Sequence, residues 1–187
     1  MGSAMINSTK YARAGQAGRM PMRAPVTMGR LLVLAAGCAA ALAPAAPASA
    51  GQQLRHDPAR CAPGAGASVT LTITNVAESR GTLRVQSYRG TREDWLAKGR
   101  WLNRIELPAR AGTMRVCMPL PGPGTYAIAV RHDRNGNGET DLTQDGGGMS
   151  NNPSINALNL GRPSYTKTRF TVPAGPVAMT IRMRYMG

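Results

Sequence analysis

The chain has 187 residues, with 23 lysines and arginines against nine aspartates and glutamates, and its formal net charge is +14. This length suits one domain with one hydrophobic core, and the charge favours anionic partners. The sequence lacks Gly-x-Ser-x-Gly, His-Glu-x-x-His, Cys-x-x-Cys and phosphate-binding glycine motifs. It therefore gives no sign of the usual hydrolase, zinc-protease, redox or nucleotide sites, and we expect a protein that is not an enzyme.

The N-terminal fifty residues have the pattern of a secretory signal. Five basic residues, the last of them Arg30, precede an apolar run over 31–36, and an Ala-Ser-Ala sequence before Gly51 matches a signal-peptidase site. The run is too short, and the stretch after it too interrupted by proline, to span a bilayer. We expect residues 1–50 to be an upstream extension and signal peptide. The mature protein is then periplasmic or secreted, without a transmembrane helix, and nucleic acid is not its natural partner.

Three cysteines divide between the two parts of the chain. Cys38 follows a Leu-Ala-Ala-Gly sequence, which leaves acylation of Cys38 and a membrane-tethered lipoprotein as the alternative localisation. Cys61 and Cys117 remain in the mature protein, where an even pair in an oxidising compartment predicts a disulfide. The alternative is two unpaired thiols.

The mature chain predicts an arm followed by a strand-rich domain. Residues 51–67 are rich in glycine, proline and alanine without a period, and indicate an N-terminal arm tethered mainly by Cys61. Residues 68–187 show six or seven short runs in which apolar and polar residues alternate. The apolar positions are Val69, Leu71, Ile73, Leu83, Val85, Met114, Val116, Met118, Tyr126, Ile128, Val130, Phe170, Val172, Val177, Met179, Ile181, Met183 and Tyr185. They predict an all-β fold, an antiparallel β-sandwich of about seven strands.

Two segments break this alternation. Residues 92–102, which include Trp95 and Trp101, predict one short helical or irregular crossover. It would serve as a core plug at one end of the sandwich or, alternatively, as an aromatic ligand platform. Residues 141–163 form a long Asn/Gly-rich loop with almost no strand signal, and such loops are usually functional or disordered.

The segment after Val130 has the spacing of calcium ligands. Asp133, Asn135, Asn137 and Asp141 occupy relative positions 1, 3, 5 and 9 of an oxygen-rich calcium loop, and a glycine occupies position 6. Carboxylate and amide oxygens are the ligands that this hard cation prefers. These residues predict a weak structural Ca²⁺ site.

Two further acids extend the candidate ligand set. Glu139 and Asp145 are candidates because position 12 is Gln144, where a glutamate would usually bind the metal. Residues 135–161 contain no lysine or arginine, as a cation site requires. The alternative is a metal-free loop built from its own Asn/Gly turns.

The same segment leaves an enzymatic alternative open. Asp133 and Asp141 could act as the paired carboxylates of a hydrolase for envelope glycans or peptides. His132 precedes Asp133 but alternates in phase with Val130, which predicts a structural histidine at a strand end.

Arginine recurs at outward positions of the predicted strands. These arginines are Arg84, Arg115, Arg131, Arg169, Arg182 and Arg184. If most of them lie on one sheet, they form a basic face for an anionic polysaccharide, lipopolysaccharide or an acidic envelope protein. The alternative is a solvated, arginine-rich exterior.

Several short motifs together resemble a known family. They are Leu120-Pro121, Gly124-Thr125-Tyr126, the segment 132–141, Gly148-Met149-Ser150-Asn151-Asn152 and Arg162-Pro163-Ser164-Tyr165. In this order they resemble the bacterial secreted domain-of-unknown-function family numbered 2141, over residues 69–185. The resemblance implies an exported small β-sandwich of the prealbumin/Ig-like kind, similar to transthyretin-like and carboxypeptidase-regulatory-like modules, without an established activity. Residues 144–148 depart from the family's Gly-x-Pro-x-Glu-x-x-Gly run, so its acidic residue has no clear counterpart.

Together these patterns predict an exported, non-catalytic β-sandwich with a structural calcium loop. It would serve as a binding or structural module in the cell envelope. The hydrolase and an arginine-face adaptor for anionic surface partners are the alternatives.

Overall fold

The computed structural model describes residues 51–186, so the predicted signal peptide and Cys38 lie outside the described residues. Within this range the chain forms two sheets and almost no helix, which confirms the all-β sandwich. The strands are β1 (Gln52–Gln53), β2 (Ser68–Val76), β3 (Thr82–Arg89), β4 (Asn103–Pro108), β5 (Gly112–Pro119), β6 (Gly124–Asp133), β7 (Gly146–Met149), β8 (Phe170–Val172), β9 (Pro176–Arg182) and β10 (Arg184–Tyr185). Short 3₁₀ turns occur at Pro58–Cys61 and Ala157–Asn159, and one α-helical turn, α1, at Tyr165–Thr168. In residues 51–186 no helix is long and apolar enough to cross a membrane.

The two sheets combine antiparallel and parallel pairs. The larger sheet has the order β1-β4-β3-β6-β7-β10, with β8 also paired to β6, and the smaller has the order β5-β2-β9. The β1–β4 and β2–β9 pairs run parallel. The prediction of purely antiparallel pairing is therefore wrong for them, because strands far apart in sequence need no tight turn to pair. The described strands number ten because β1 and β7, of two and four residues, are too short for a clear alternation, β4 lies outside the predicted runs, and the run 177–185 is divided into β9 and β10.

The hydrophobic core lies between the two sheets, where the predicted alternation placed it. Its largest fully buried members are Leu71, Ile73, Leu83, Ile105, Met118, Ile128, Ile181 and Met183. Burying one such side chain contributes roughly 1.5–3 kcal/mol relative to leaving it in water. The apolar face of each strand therefore determines which way that strand faces.

The C-terminal run 177–185 is divided between the sheets. β9 ends at Arg182 in the smaller sheet, and β10 begins at Arg184 in the larger one. Met183 between them is fully buried, and its N–H donates to the carbonyl of Thr74 at 2.9 Å. This switch sends the exposed side chains of Arg182 and Arg184 to the outer faces of different sheets.

Residues 92–102 form successive turns rather than a helix, and they pack on the outer face of the larger sheet. Trp95 is buried and meets Tyr88 edge to face, with ring centroids 5.4 Å apart. Its Nε1–H donates to the carbonyl of Pro163 at 2.8 Å. Together with Met149 these residues form a second apolar cluster. The predicted position of this segment is therefore wrong, because residues 92–102 cover a sheet face and not one end of the sandwich.

The disulfide Cys61–Cys117 is confirmed, with the Cα atoms 5.7 Å apart. Cys117 alternates with Val116 and Met118, whose side chains belong to the core, so its sulfur lies off that core as predicted. The arm has a second anchorage besides the disulfide, because β1 pairs with β4. Residues 141–163 likewise contain a strand, β7, where none was predicted.

Candidate functional site

The loop after β6 is organised around the carboxylate of Asp133. Asp133 is 3% exposed, and its two oxygens accept the backbone N–H groups of Gly136 at 2.7 Å and Gly138 at 2.8 Å. Both glycines have a positive φ, 73° and 81°, which glycine adopts without steric cost. The loop therefore closes on the end of its own strand.

Asn135, Asn137 and Asp141 are joined by side-chain hydrogen bonds. The Nδ2 groups of both asparagines donate to Asp141 Oδ2, at 2.8 and 2.9 Å. Their Oδ1 atoms accept the backbone N–H groups of Asn137 and Glu139 at 3.1 and 2.8 Å. The oxygens that were predicted to bind calcium thus already accept hydrogen bonds, and a cation would compete with them.

Asp145, which follows the loop in sequence, hydrogen-bonds to the loop backbone. Asp145 is 7% exposed, and its oxygens accept the backbone N–H groups of Arg134 at 3.2 Å and Asp141 at 3.1 Å. The side chain of Glu139 is exposed. Over residues 51–186, no group of three or more His, Cys, Asp or Glu side chains is arranged to hold a metal ion. Calcium binding by the six candidate residues stays a prediction.

A guanidinium from the preceding strand enters this loop. Arg131 donates from Nη1 to Thr140 Oγ1 and from Nη2 to the carbonyl of Gly138, both at 2.8 Å. Its Nη2 also lies 3.5 Å from Asp133 Oδ2. Residues 135–161 contain no basic residue in sequence, but the folded loop still has a basic side chain next to it. Arg131 compensates part of the loop's negative charge without a metal.

Three arginines lie in one row across the outer face of the larger sheet. The strand register places Glu106, Arg84, Arg131, Gly147 and Arg184 side by side on β4, β3, β6, β7 and β10. Arg84 binds Glu106, with Nε and Oε1 2.5 Å apart. Arg131 directly faces Arg84, and like charges in that relation destabilise a sheet. Burial, and next the charge of Arg84, lower the pKa of Arg131. We call Arg84, Arg131 and Arg184 the arginine row.

The six outward arginines do not share one sheet. Arg84, Arg131 and Arg184 belong to the larger sheet, Arg115 and Arg182 to the smaller sheet, and Arg169 follows α1. The condition for a single basic face, that most of the six share one sheet, is therefore not met. Half of the six form a compact row instead.

The arginine row borders a cavity of about 330 Å³ on the outer face of the larger sheet. Tyr88 and Met149 line it from the sheet, and Ile155 and Leu160 line it from the long loop. Among the described residues, the Nε–H of Arg131 is a buried side-chain donor that no acceptor contacts. Leaving such a donor unpaired costs roughly 1–3 kcal/mol. The cavity thus combines apolar walls with a cationic edge.

Sequence reasoning did not single out two of the residues that line this cavity, Ile155 and Leu160, and it named Met149 and Arg162 only as members of family motifs. They lie in an aperiodic segment, so no strand or helix pattern marked them. The available signal was the recurrence of large apolar residues in a segment otherwise rich in asparagine and glycine.

His132 has the structural role that its alternation predicted. It is fully buried, with Nε2 2.8 Å from the carbonyl oxygen of Arg80 and Nδ1 2.8 Å from the Tyr185 hydroxyl. Because a carbonyl only accepts, Nε2 carries the proton and Nδ1 accepts from Tyr185. The Tyr185 oxygen in turn accepts the N–H of Ala77 at 2.9 Å. Both ring nitrogens of His132 are therefore used within the fold.

The Ser150-Asn151-Asn152 motif ties the end of β7 to its neighbours. Ser150 Oγ accepts the N–H of Ile128 at 2.9 Å and donates to the carbonyl of Thr168 at 2.6 Å. The side chain of Asn152 donates to the carbonyl of Thr180 and accepts the N–H of Arg182, both on β9. The side chain of Asn151 donates to the carbonyl of Arg169, directly after α1. These residues hold the cavity wall in place.

Fold and site together define a small disulfide-linked β-sandwich with a basic cavity on one outer face. The chain matches the model of the family described as "Uncharacterized protein conserved in bacteria (DUF2141)" over residues 71–180, more than half of its length. It therefore belongs to this family, as its motifs predicted. A search of curated proteins gave no match, and neither did a search of solved structures.

Proposed function

We propose that the protein is an exported, non-catalytic binding module of the cell envelope that receives an anionic group on the arginine row. The observation that carries this proposal is the direct juxtaposition of Arg84 and Arg131, which are only 19% and 15% exposed. Glu106 pairs with Arg84 and Asp133 lies 3.5 Å from Arg131, whereas no carboxylate of the described residues pairs with Arg184, so the row keeps an excess of positive charge. Hydrogen bonds from such ionised groups to an anion are the strong ones. The cavity is lined by four arginines against two aspartates.

Export is part of the proposal because the N-terminal fifty residues have a signal-peptide pattern. An oxidising compartment would also maintain the disulfide between Cys61 and Cys117.

The position of the row favours a small ligand over a polymer or a protein partner. An extended polysaccharide or an acidic protein would need an open face with many arginines. Here Arg115 and Arg182 are on the other sheet, and Arg131 is held within the loop. The hydrolase alternative gains no support either, since both carboxylate oxygens of Asp133 already accept backbone N–H groups, while a general acid must reach its substrate.

A sulfate titration followed by NMR tests the proposed anion site. We expect the amide signals of Gly147 and Met149 to shift with added sulfate, because both residues line the cavity beside the row. Arg184→Met should weaken this response several-fold. Arg182→Met is the matched control, since it removes an exposed arginine two residues away on the other sheet. Equal effects of the two variants would contradict the proposal.

A structural calcium site in the Asp133 loop is a second candidate. It is favoured by the loop bringing Asn135, Asn137 and Asp141 within hydrogen-bond distance of one another, and a cation would replace the two amide N–H donors at Asp141 Oδ2. With a Kd on the order of 0.1–1 mM, about 5 mM calcium would stabilise the folded protein by roughly 1–2 kcal/mol. Thermal unfolding with calcium, with magnesium and with a chelator measures this. A midpoint that calcium leaves unchanged would remove the metal from the proposal.

A further inference from the structure

The cavity beside the arginine row has the size of a small-molecule site. Its volume of about 330 Å³ lies at the lower end of the roughly 300–1,000 Å³ that ligand pockets usually have. At about 30 Å³ for each water-sized group, it holds on the order of eleven non-hydrogen atoms. This size suits a short-chain molecule and not a folded partner.

One side of the cavity is cationic. Arg131 and Arg184 flank Gly147 in the sheet register, so the absence of a side chain at Gly147 leaves the space between two arginines open. A carboxylate in this space lies between two guanidinium charges, which it neutralises, and it accepts hydrogen bonds from guanidinium N–H groups.

The other walls are apolar. Met149 and Ile155 line the interior, and both belong to the second apolar cluster or pack against it. Leu142, Leu160 and Met186 also line the cavity and are 42%, 66% and 40% exposed. Large apolar side chains gathered at one opening mark a binding surface more often than chance exposure.

We infer that this cavity binds an amphiphilic carboxylate, with its head group between Arg131 and Arg184 and a chain of about eight carbons along Met149 and Ile155. The inference rests on the proposed function, which requires only an anionic group. It adds the apolar part of the ligand. The apolar walls argue against a free inorganic anion, and the arginine row argues against a neutral hydrocarbon.

Calorimetric titration of the purified full-length protein with octanoate, acetate and octan-1-ol tests this inference. We expect octanoate to bind at least tenfold more tightly than either of the others, because only octanoate has both a carboxylate for the arginines and an acyl chain for the apolar walls. Acetate binding as tightly as octanoate would overturn the amphiphile while leaving the proposed anion site standing. Octanol binding as tightly as octanoate, with no response to sulfate, would overturn both.

Variants locate the site. A Cβ at Gly147 would meet Ile155 at 3.8 Å, an ordinary contact, so Gly147→Val is accommodated and fills the cavity. We expect it to abolish octanoate binding with little change in melting temperature. Gly175→Val is the matched control, because a Cβ there meets nothing within 4 Å. If Gly147→Val fails to fold, a comparison of Arg184→Met with Arg182→Met tests the same site. Only Arg184→Met should lower the affinity for octanoate.

The exposed leucines raise the question of whether the ligand is free or held in a bilayer. Binding of the protein to vesicles of phosphatidylglycerol, with and without octanoate, answers it. Octanoate that competes with vesicle binding supports one site for the anionic head and acyl chain of either amphiphile. Vesicle binding without any octanoate binding would overturn the inference in favour of docking to a lipid surface.

Discussion

The buried hydrogen-bond chain between Tyr185 and His132 allows a sharp test of the packing. Tyr185→Phe removes a hydroxyl that donates to His132 Nδ1 at 2.8 Å and accepts the N–H of Ala77 at 2.9 Å. The aromatic ring remains, so its edge-to-face contact with the imidazole, 5.8 Å between centroids, is kept. The change therefore isolates the polar contribution.

The expected loss follows from the burial of the two partners. His132 is fully buried, so water does not replace the lost hydroxyl, and an unpaired acceptor of this kind costs roughly 1–3 kcal/mol. Ala77 is exposed, so water replaces its partner at little cost. We expect a loss of about 2 kcal/mol in the free energy of unfolding. For a domain of this size that is a fall of roughly 7 °C in melting temperature.

Urea unfolding followed by the fluorescence of the buried Trp95 measures the change. Tyr165→Phe is the matched control, because among the described residues the Tyr165 hydroxyl makes no hydrogen bond, and we expect its effect to stay within about 0.5 kcal/mol. Equal losses in the two variants would refute the reasoning. Nitrogen NMR of His132 provides a second check, since it should show the proton on Nε2.

Two further predictions concern stability. Replacing Cys61 and Cys117 by alanine should cost about 4 kcal/mol in the chain-entropy model, because the disulfide spans 56 residues, and mass spectrometry of the native protein should find the two cysteines linked. Gly146→Ala should cost roughly 1–3 kcal/mol, because its Cβ would lie 2.3 Å from the Tyr185 ring, whereas Gly147→Ala next to it should be close to neutral in urea unfolding.

Local sequence patterns were sufficient for much of the fold. Val69, Leu71 and Ile73 alternate with threonines, and all three are fully buried in β2. The same rule placed Cys117 off the core and His132 inside it. These predictions succeeded because a strand has a period of two, so one apolar face is enough to determine its orientation.

Local patterns failed where a neighbour from another part of the chain decided the outcome. Residues 146–148 read as a glycine-rich loop, but they form a strand because Gly146 and Gly148 leave room for Tyr185 and Ile181. The loop 135–161 contains no basic residue, yet Arg131 enters it from β6.

The sequence by itself determined the β-sandwich, the disulfide pair and the family, because these depend on short-range alternation, on an even cysteine count and on motif order. Only the tertiary structure decided where the arginines meet. Arg182 and Arg184 are separated because buried Met183 carries the chain from one sheet to the other, and Arg84 and Arg131 are joined by a register between strands more than thirty residues apart. Sequence alternation assigns a face within one strand, whereas a site made from several strands depends on which strands pair and in which register.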